Sequence, residues 1–254
     1  MLNYPLSQIP FRTEKPRESG LTMVMDKGLS VREAEDFLSV GHPYTDVVKL
    51  GWATSMVTPN LEDKLAIYRN AGIPTYFGGT LLEAFYIRGQ IDDYLSVLDK
   101  YKIEMVEVSD GSINFEGDEK CELIRRLAKD FRVLSEVGSK SADKVIPPSK
   151  WVSMMQTELD AGSWKVIAEA RESGTVGMFR SDGVVRSDLI EEILTDIPSE
   201  KILWEAPQKS QQVWFIKLLG NNVNLGNIAP KEIIPLETLR LGLRGDTFFT
   251  FLDK

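Results

Sequence analysis

The chain has one cysteine and one histidine in 254 residues. A lone cysteine, Cys121, excludes an intrachain disulfide and makes the reducing cytoplasm the expected location. A lone histidine, His42 in a Gly-His-Pro-Tyr loop, leaves no material for a histidine-rich zinc site or a Ser-His-Asp triad. His42 is read as a structural loop residue, and Cys121 as a small hydrophobe inside a helical pattern. Positive charge is also short: 30 Lys and Arg stand against 38 Asp and Glu, a net charge of −8. That lacks the basic face a nucleic-acid protein needs, though a few clustered cations still serve an anionic substrate. No apolar run approaches the ~20 residues of a membrane span. The N-terminus, M-L-N-Y-P-L-S, lacks the basic region and apolar core of a signal peptide. Neither nucleic acid nor membrane is an expected partner. Chemistry falls to carboxylates, lysines, arginines and a hard cation.

The most informative stretch present is Lys165–Gly174, K-V-I-A-E-A-R-E-S-G. Side chains alternate faces along a strand. Val166, Ala168 and Ala170 share one side, and Lys165, Ile167, Glu169 and Arg171 the other. A central strand buries Glu and Arg only against a partner, a metal or a ligand. Ser173 and Gly174 follow, where a turn or helix start offers N–H groups to an anion.

The pattern recurs. Strands are expected at Leu21–Asp26, Val47–Gly51, Pro74–Gly79, Met105–Asp110, Arg132–Val137, the Lys165 stretch, Ile202–Glu205 and Asn222–Leu225. Helical patterns lie between them, the first opened by Ser30 with Glu33 three residues on, a capping box. The third strand is followed by a helical region broken near Gly89. Strict alternation of eight strands with helices implies an α/β protein with a parallel sheet. In this length it implies a closed (β/α)8 TIM barrel forming a single domain over residues 1–254, with residues 1–20 an N-terminal arm. The doubly wound alternative lacks a G-x-G-x-x-G after its first strand.

Such barrels build their sites at the C-terminal strand ends. Asp26, Lys49, Glu107, Glu136, Glu169, Glu205 and Asn224 are placed there, with Lys140 and Arg171 just beyond strands five and six. Glu107, Glu136 and Glu169 come from successive strands, spaced at about 4.8 Å. Carboxylates that close repel unless a proton or a divalent cation intervenes, and Mg²⁺ suits oxygen ligands. The alternative is that each Glu pairs with Lys49, Lys140 or Arg171. For phosphate, the loops after strands seven and eight carry Gln208, Lys209, Gly226 and Asn227, and the Arg171–Gly174 turn is a second candidate.

These residues sit in motifs that resemble the phosphosulfolactate synthase family. They are K-P-R-E-S-G-L-T-M-V-M-D-K-G from Lys15, K-L-G-W-A-T-S from Lys49, G-G-T-L-L-E from Gly78 and E-V-S-D-G from Glu107. E-V-G-S-K from Glu136, E-A-R-E-S-G from Glu169, W-E-A-P-Q-K-S-Q-Q from Trp204, N-V-N-L-G-N-I from Asn222 and L-E-T-L-R-L-G-L-R-G-D-T from Leu236 continue the match. Ala53 stands where the resemblance leads one to expect glycine.

The resemblance implies an (α/β)8 barrel and Mg²⁺-dependent addition of sulfite to phosphoenolpyruvate. The product would be (2R)-3-phosphosulfolactate, feeding coenzyme M or sulfolactate. On that reading Lys140 is the general acid, with Lys49 in reserve. Lys27, Lys49 and Arg171 hold the anions, helped by Ser173, Gly174, Gln208, Asn224, Gly226 and Asn227. Glu107, Glu136 and Glu169 hold the metal. The expected partners are small-molecule substrates and further copies of the chain. Two alternatives stay open: a barrel enzyme of another kind on a phosphorylated substrate, such as a lysine Schiff-base aldolase, and a non-catalytic stress-associated relative.

Overall fold

The computed structural model describes residues 3–138, 146–170 and 173–252. Eight parallel strands alternate with helices: β1 Thr22–Asp26, β2 Val47–Leu50, β3 Thr75–Phe77, β4 Met105–Val108, β5 Arg132–Val137, β6 Lys165–Ala168, β7 Ile202–Glu205 and β8 Leu225–Ile228. The ring order is β3-β2-β1-β8-β7-β6-β5-β4. This is the expected (β/α)8 TIM barrel, with β1 paired to both β2 and β8.

The helices are α1 Val31–Gly41, α2 Leu61–Asn70, α3 Gly79–Tyr86, α4 Ile91–Lys100, α5 Glu119–Leu127, α6 Pro148–Asp160, α7 Ser187–Asp196, α8 Lys209–Leu219 and α9 Ile233–Arg240. Ser30 and Glu33 form the expected capping box at α1. Gly89, at φ +66°, breaks α3 from α4. Among the described residues no helix is long and apolar enough to cross a membrane. His42 is structural, its Nε2 lying 2.9 Å from the Ala71 carbonyl, and Cys121 is buried.

The strand period of two organises the interior. One side chain from each of seven strands forms an apolar layer inside the ring: Met23, Val47, Tyr76, Met105, Leu134, Ile167 and Leu203. The eighth strand contributes Gly226, where a Cβ would come within 2.9 Å of the Met23 methyl carbon. Burial of each large apolar side chain is worth roughly 1.5–3 kcal/mol, so this layer is a stable floor.

Closure is uneven. β3 and β4 lie side by side at the two ends of the ladder order, but among the described residues no ladder joins them. Side chains stitch that seam instead. Glu107 on β4 accepts the Gly79 N–H at 2.6 Å, and Glu83 on α3 accepts from the Ser109 hydroxyl and from the Gly111 and Ser112 N–H groups at 3.2 and 2.7 Å.

The opposite, N-terminal end of the barrel is covered by the chain before β1. Arg12 binds Glu237 at 2.9 Å and Asn222 at 2.6 Å, and Arg17 reaches Asp46 at 3.4 Å. Lys165, at the start of β6, donates to the Glu18 carbonyl at 2.9 Å.

Two sequence expectations are corrected here. The last strand runs over Leu225–Ile228 and not Asn222–Leu225. Asn224 therefore precedes the strand, at the end remote from the site, where it accepts from Leu21 N–H at 3.0 Å and donates to the Glu200 and Ile202 carbonyls. Asp26 has the opposite parity from Met25 and points outward to α2. There Lys64 Nζ and the Tyr68 hydroxyl reach it at 3.0 and 2.9 Å. Its other oxygen accepts the Gly28 and Leu29 N–H groups, so it shapes the turn after β1.

Candidate active site

Two residues beyond each member of the apolar floor, the same parity returns at the C-terminal mouth. The positions are Met25, Lys49, Gly78, Glu107, Glu136, Glu169 and Glu205, and all seven line one cavity of about 380 Å³. Trp52, Gly79, Thr80, Ser173 and Asn227 complete its wall. The fold thus puts one apolar layer beneath one charged layer, and the charged layer is the cavity floor.

Lys49 is the hub of that layer. Its ammonium lies 2.8 Å from Glu107, 3.5 Å from Glu205 and 3.7 Å from Glu136, with all four side chains buried. Burial alone pulls a lysine's pKa down, but here Glu107, with Glu205 and Glu136 behind it, outweighs burial and holds the ammonium well above the ordinary lysine value. Lys49 is therefore a fixed positive charge. Tyr76, fully buried beneath it, turns its hydroxyl toward Glu107, and burial first and then that carboxylate hold the phenol well above its usual pKa.

The carboxylates that converge differ from the expected set by one member. Ligand oxygens of Glu136, Glu169 and Glu205 lie within 4.8 Å of one another, and all three residues are buried. Glu107 is not in this group. Its two oxygens are directed to Lys49 and to the Gly79 N–H, so it also takes up the first N–H of α3. Glu205 takes its place from the neighbouring strand β7. Three buried, convergent carboxylates are a hard-oxygen donor set of the kind that suits Mg²⁺.

Glu205 shows the strain of that crowding. Its Oε2 accepts the Ala170 N–H at 3.0 Å. Burial, outweighing the help from Lys49 and reinforced by Glu136, pushes its carboxyl up to about 7. Because the folded state holds this proton more tightly than the unfolded chain, the burial cost is absent below pH ~4.5, grows with pH, and is complete above ~7. At about 1.4 kcal/mol per unit the cost is of the order of 3 kcal/mol. Glu205→Gln should therefore be more stable than the parent at pH 8 in chelator, with the gap closing by pH 5. Urea unfolding at both pH values checks this, and equal midpoints at pH 8 would refute it.

The remaining expected residues divide. Ser173 and Asn227 line the cavity, Asn227 in the left-handed region at φ +56°. Lys27 is exposed and is not among the cavity-lining residues, its Nζ lying 4.9 Å from the centre of the Trp52 ring. Gly174 and Gln208 are used by the fold: Gln208 Nε2 donates to the Ser173 carbonyl at 2.6 Å, and Gln211 Nε2 to the Gly174 carbonyl at 2.8 Å. Gly226 belongs to the floor, and Lys209 pairs with Asp246 at 2.9 Å on the surface. Lys140 and Arg171 lie outside the described residues.

Sequence reasoning missed Tyr76, Trp52 and Thr80. Tyr76 was legible from strand parity, since it lies two residues before Gly78. Trp52 was hidden because it comes from a turn, where no period applies. Trp52 and Ala53 both have φ +54°, a conformation costing roughly 1–2 kcal/mol for a residue with a Cβ. That accounts for the glycine expected at 53.

Known proteins match the chain over most of its length. Residues 10–246 match the family described as (2R)-phospho-3-sulfolactate synthase. A phosphosulfolactate synthase of Methanocaldococcus jannaschii is 44% identical over 238 residues, covering 91% of this chain and 94% of that one. One from Methanothermobacter thermautotrophicus is 41% identical over 244 residues, covering 94% and 95%. Among solved structures, 3-hexulose-6-phosphate synthase of Salmonella typhimurium superposes with a TM-score of 0.59 at 14% identity, covering 88% of this chain and all of that one. At that identity the likeness shows the fold alone.

Proposed function

The chain belongs to the (2R)-phospho-3-sulfolactate synthase family, and on that premise we propose that it adds sulfite to phosphoenolpyruvate with Mg²⁺ to give (2R)-phospho-3-sulfolactate. The observation that carries the reading is the convergence of Glu136, Glu169 and Glu205 beside Lys49 on the cavity floor. Those three carboxylates are the residues that would hold Mg²⁺. When bound, the cation supplies positive charge to stabilise the substrate carboxylate as it takes up a second negative charge.

The chain's own residues then have distinct work. The sulfur lone pair of sulfite forms the C–S bond at the methylene carbon. The displaced π electrons collect on the carboxylate as an aci-carboxylate. Lys49, permanently charged, offers electrostatic stabilisation to that developing charge. A proton must next reach the carbon bearing the phosphate, and Lys140 is assigned that transfer. Arg171, Lys27, Ser173 and Asn227 are assigned to the anionic groups. Glu107 holds Lys49 in place and is assigned no contact with the metal.

The Schiff-base alternative needs a lysine that sheds its proton easily. The carboxylates around Lys49 act against that. The reading brings with it phosphoenolpyruvate and sulfite as small-molecule partners, a homo-oligomeric assembly and a cytoplasmic setting. The test is incubation with phosphoenolpyruvate, sulfite and Mg²⁺, with and without chelator, followed by product mass. The expected result is a phosphosulfolactate mass that disappears with chelator. Absence of that product at saturating substrates and metal would overturn the reading.

A further inference from the structure

A second buried charge lies outside the ring, behind the carboxylate layer. Lys120, in the first turn of α5, keeps only 9% of its side chain exposed. Its ammonium reaches three elements at once. It lies 3.0 Å from Asp110, just past β4, and 2.7 Å from Glu158 on α6, and it donates to the backbone carbonyl of Glu136 on β5 at 2.6 Å. An ammonium has three N–H donors, and these three acceptors use them all.

Stability alone is a poor reason for this lysine. A cation in the first turn of a helix opposes the helix dipole. A buried ion pair is also often no better than apolar side chains of similar volume. The third contact supplies a better reason. Strand carbonyls turn alternately to the two neighbouring strands. The Val137 carbonyl turns to β6, where it accepts the Glu169 N–H at 3.0 Å. The Glu136 carbonyl, one residue earlier, therefore turns to the β4 side. The β4–β5 ladder ends with Val108 opposite Ser135, and at Glu136 the Lys120 ammonium stands in for the next strand donor. Through Asp110 the same ammonium ties the chain leaving β4 to the end of β5.

We propose that Lys120 is a positioning residue, which holds the C-terminal end of β5 by the Glu136 carbonyl and so places the Glu136 carboxylate beside Glu169 and Glu205. The hold extends one strand further, because the Val137 carbonyl next along the chain fixes the Glu169 N–H. That these carboxylates take Mg²⁺ rests on the synthase reading, whereas the anchoring of the strand end does not.

The probe is Mg²⁺ alone, titrated into the full chain by calorimetry, with amide hydrogen exchange followed by NMR in the metal-free protein. Lys120→Met by itself strands the Glu158 carboxylate in the interior, so it is combined with Glu158→Gln. Asp110, with 24% of its side chain exposed, is left to water. The double variant should bind Mg²⁺ about tenfold or more weakly than the parent, the scale on which partners behind metal ligands act. Its Glu169 N–H should exchange about tenfold faster, while the Val48 N–H, bonded to the Pro74 carbonyl across the barrel, should keep the parent's rate. Glu158→Gln alone disrupts the same ion pair but leaves the ammonium on the Glu136 carbonyl. It should bind Mg²⁺ within about threefold of the parent, whatever it does to Tm. The proposal is overturned if Glu158→Gln alone weakens Mg²⁺ binding tenfold, if the double variant binds the cation as tightly as the parent, or if exchange at Glu169 does not change. If the parent binds no Mg²⁺ but exchange at Glu169 responds as expected, the metal reading fails and the anchor stands.

Discussion

Replacing Lys49 with methionine should lower stability by about 3–5 kcal/mol and activity by at least about 10²–10³-fold. Methionine keeps most of the unbranched stem and removes only the charge. The ammonium is 2.8 Å from Glu107 and within 4 Å of Glu136 and Glu205, so its loss leaves buried carboxylates without their shared counter-charge. They can respond only by taking up protons or by opening the floor to water. The loss of stability should therefore be smaller at pH 5 than at pH 8, because protonation relieves the repulsion. Urea unfolding of parent and variant at the two pH values, with kcat/KM under saturating metal, measures both effects. A variant within 1 kcal/mol of the parent at pH 8, or within tenfold in activity, would show that Lys49 is not the hub the geometry makes it.

The second large effect concerns the metal. Glu136→Gln and Glu169→Gln should each weaken Mg²⁺ binding by about 10–100-fold or more, since even partners behind the ligands matter on that scale. Activation curves against Mg²⁺ report it, and so does the rise in Tm on adding the cation, which follows from binding to the folded state alone. Glu107→Gln is the discriminating control. Its carboxylate lies with Lys49 and Gly79, outside the convergent group. It should keep the Mg²⁺-induced Tm shift within about threefold in affinity while losing roughly 1–3 kcal/mol of stability from the seam. If Glu107→Gln loses the metal response and Glu205→Gln keeps it, the metal belongs to Glu107, Glu136 and Glu169.

The barrel was legible because its signal is periodic. Short apolar runs alternate with helical patterns, and each run ends in a polar residue of fixed parity. That parity alone brings Lys49, Glu107, Glu136, Glu169 and Glu205 to one cavity. It failed where the period breaks. The sequence N-V-N-L-G-N-I alternates polar and apolar residues only as far as Leu225 and then runs Gly226-Asn227, so β8 was set three residues early and Asn224 was carried to the wrong end. Asp26 ends its strand as Glu107 nearly does, but on the other face, where Lys64 and Tyr68 meet it. The partition of the carboxylates was beyond sequence. Whether Glu107 or Glu205 joins Glu136 and Glu169 depends on the Gly79 N–H, a backbone group from across the seam.

That seam bears on descent. In this barrel Glu107 and Gly79 join β3 to β4 where the ladder is missing, and Lys49 on β2 reaches Glu107 with its ammonium. A lineage that lost the reaction would still need a closed ring, so selection for folding alone would keep these residues. Their retention in a distant relative is thus no sign that it still turns over substrate. The residues to inspect are Glu136, Glu169 and Glu205, which crowd negative charge together and bring a cost that, at Glu205, rises with pH. A chain freed from catalysis would gain stability by replacing Glu205 first. A glutamine or an apolar residue there, with Lys49 and Glu107 intact, would mark a barrel that has kept its architecture and retired its chemistry.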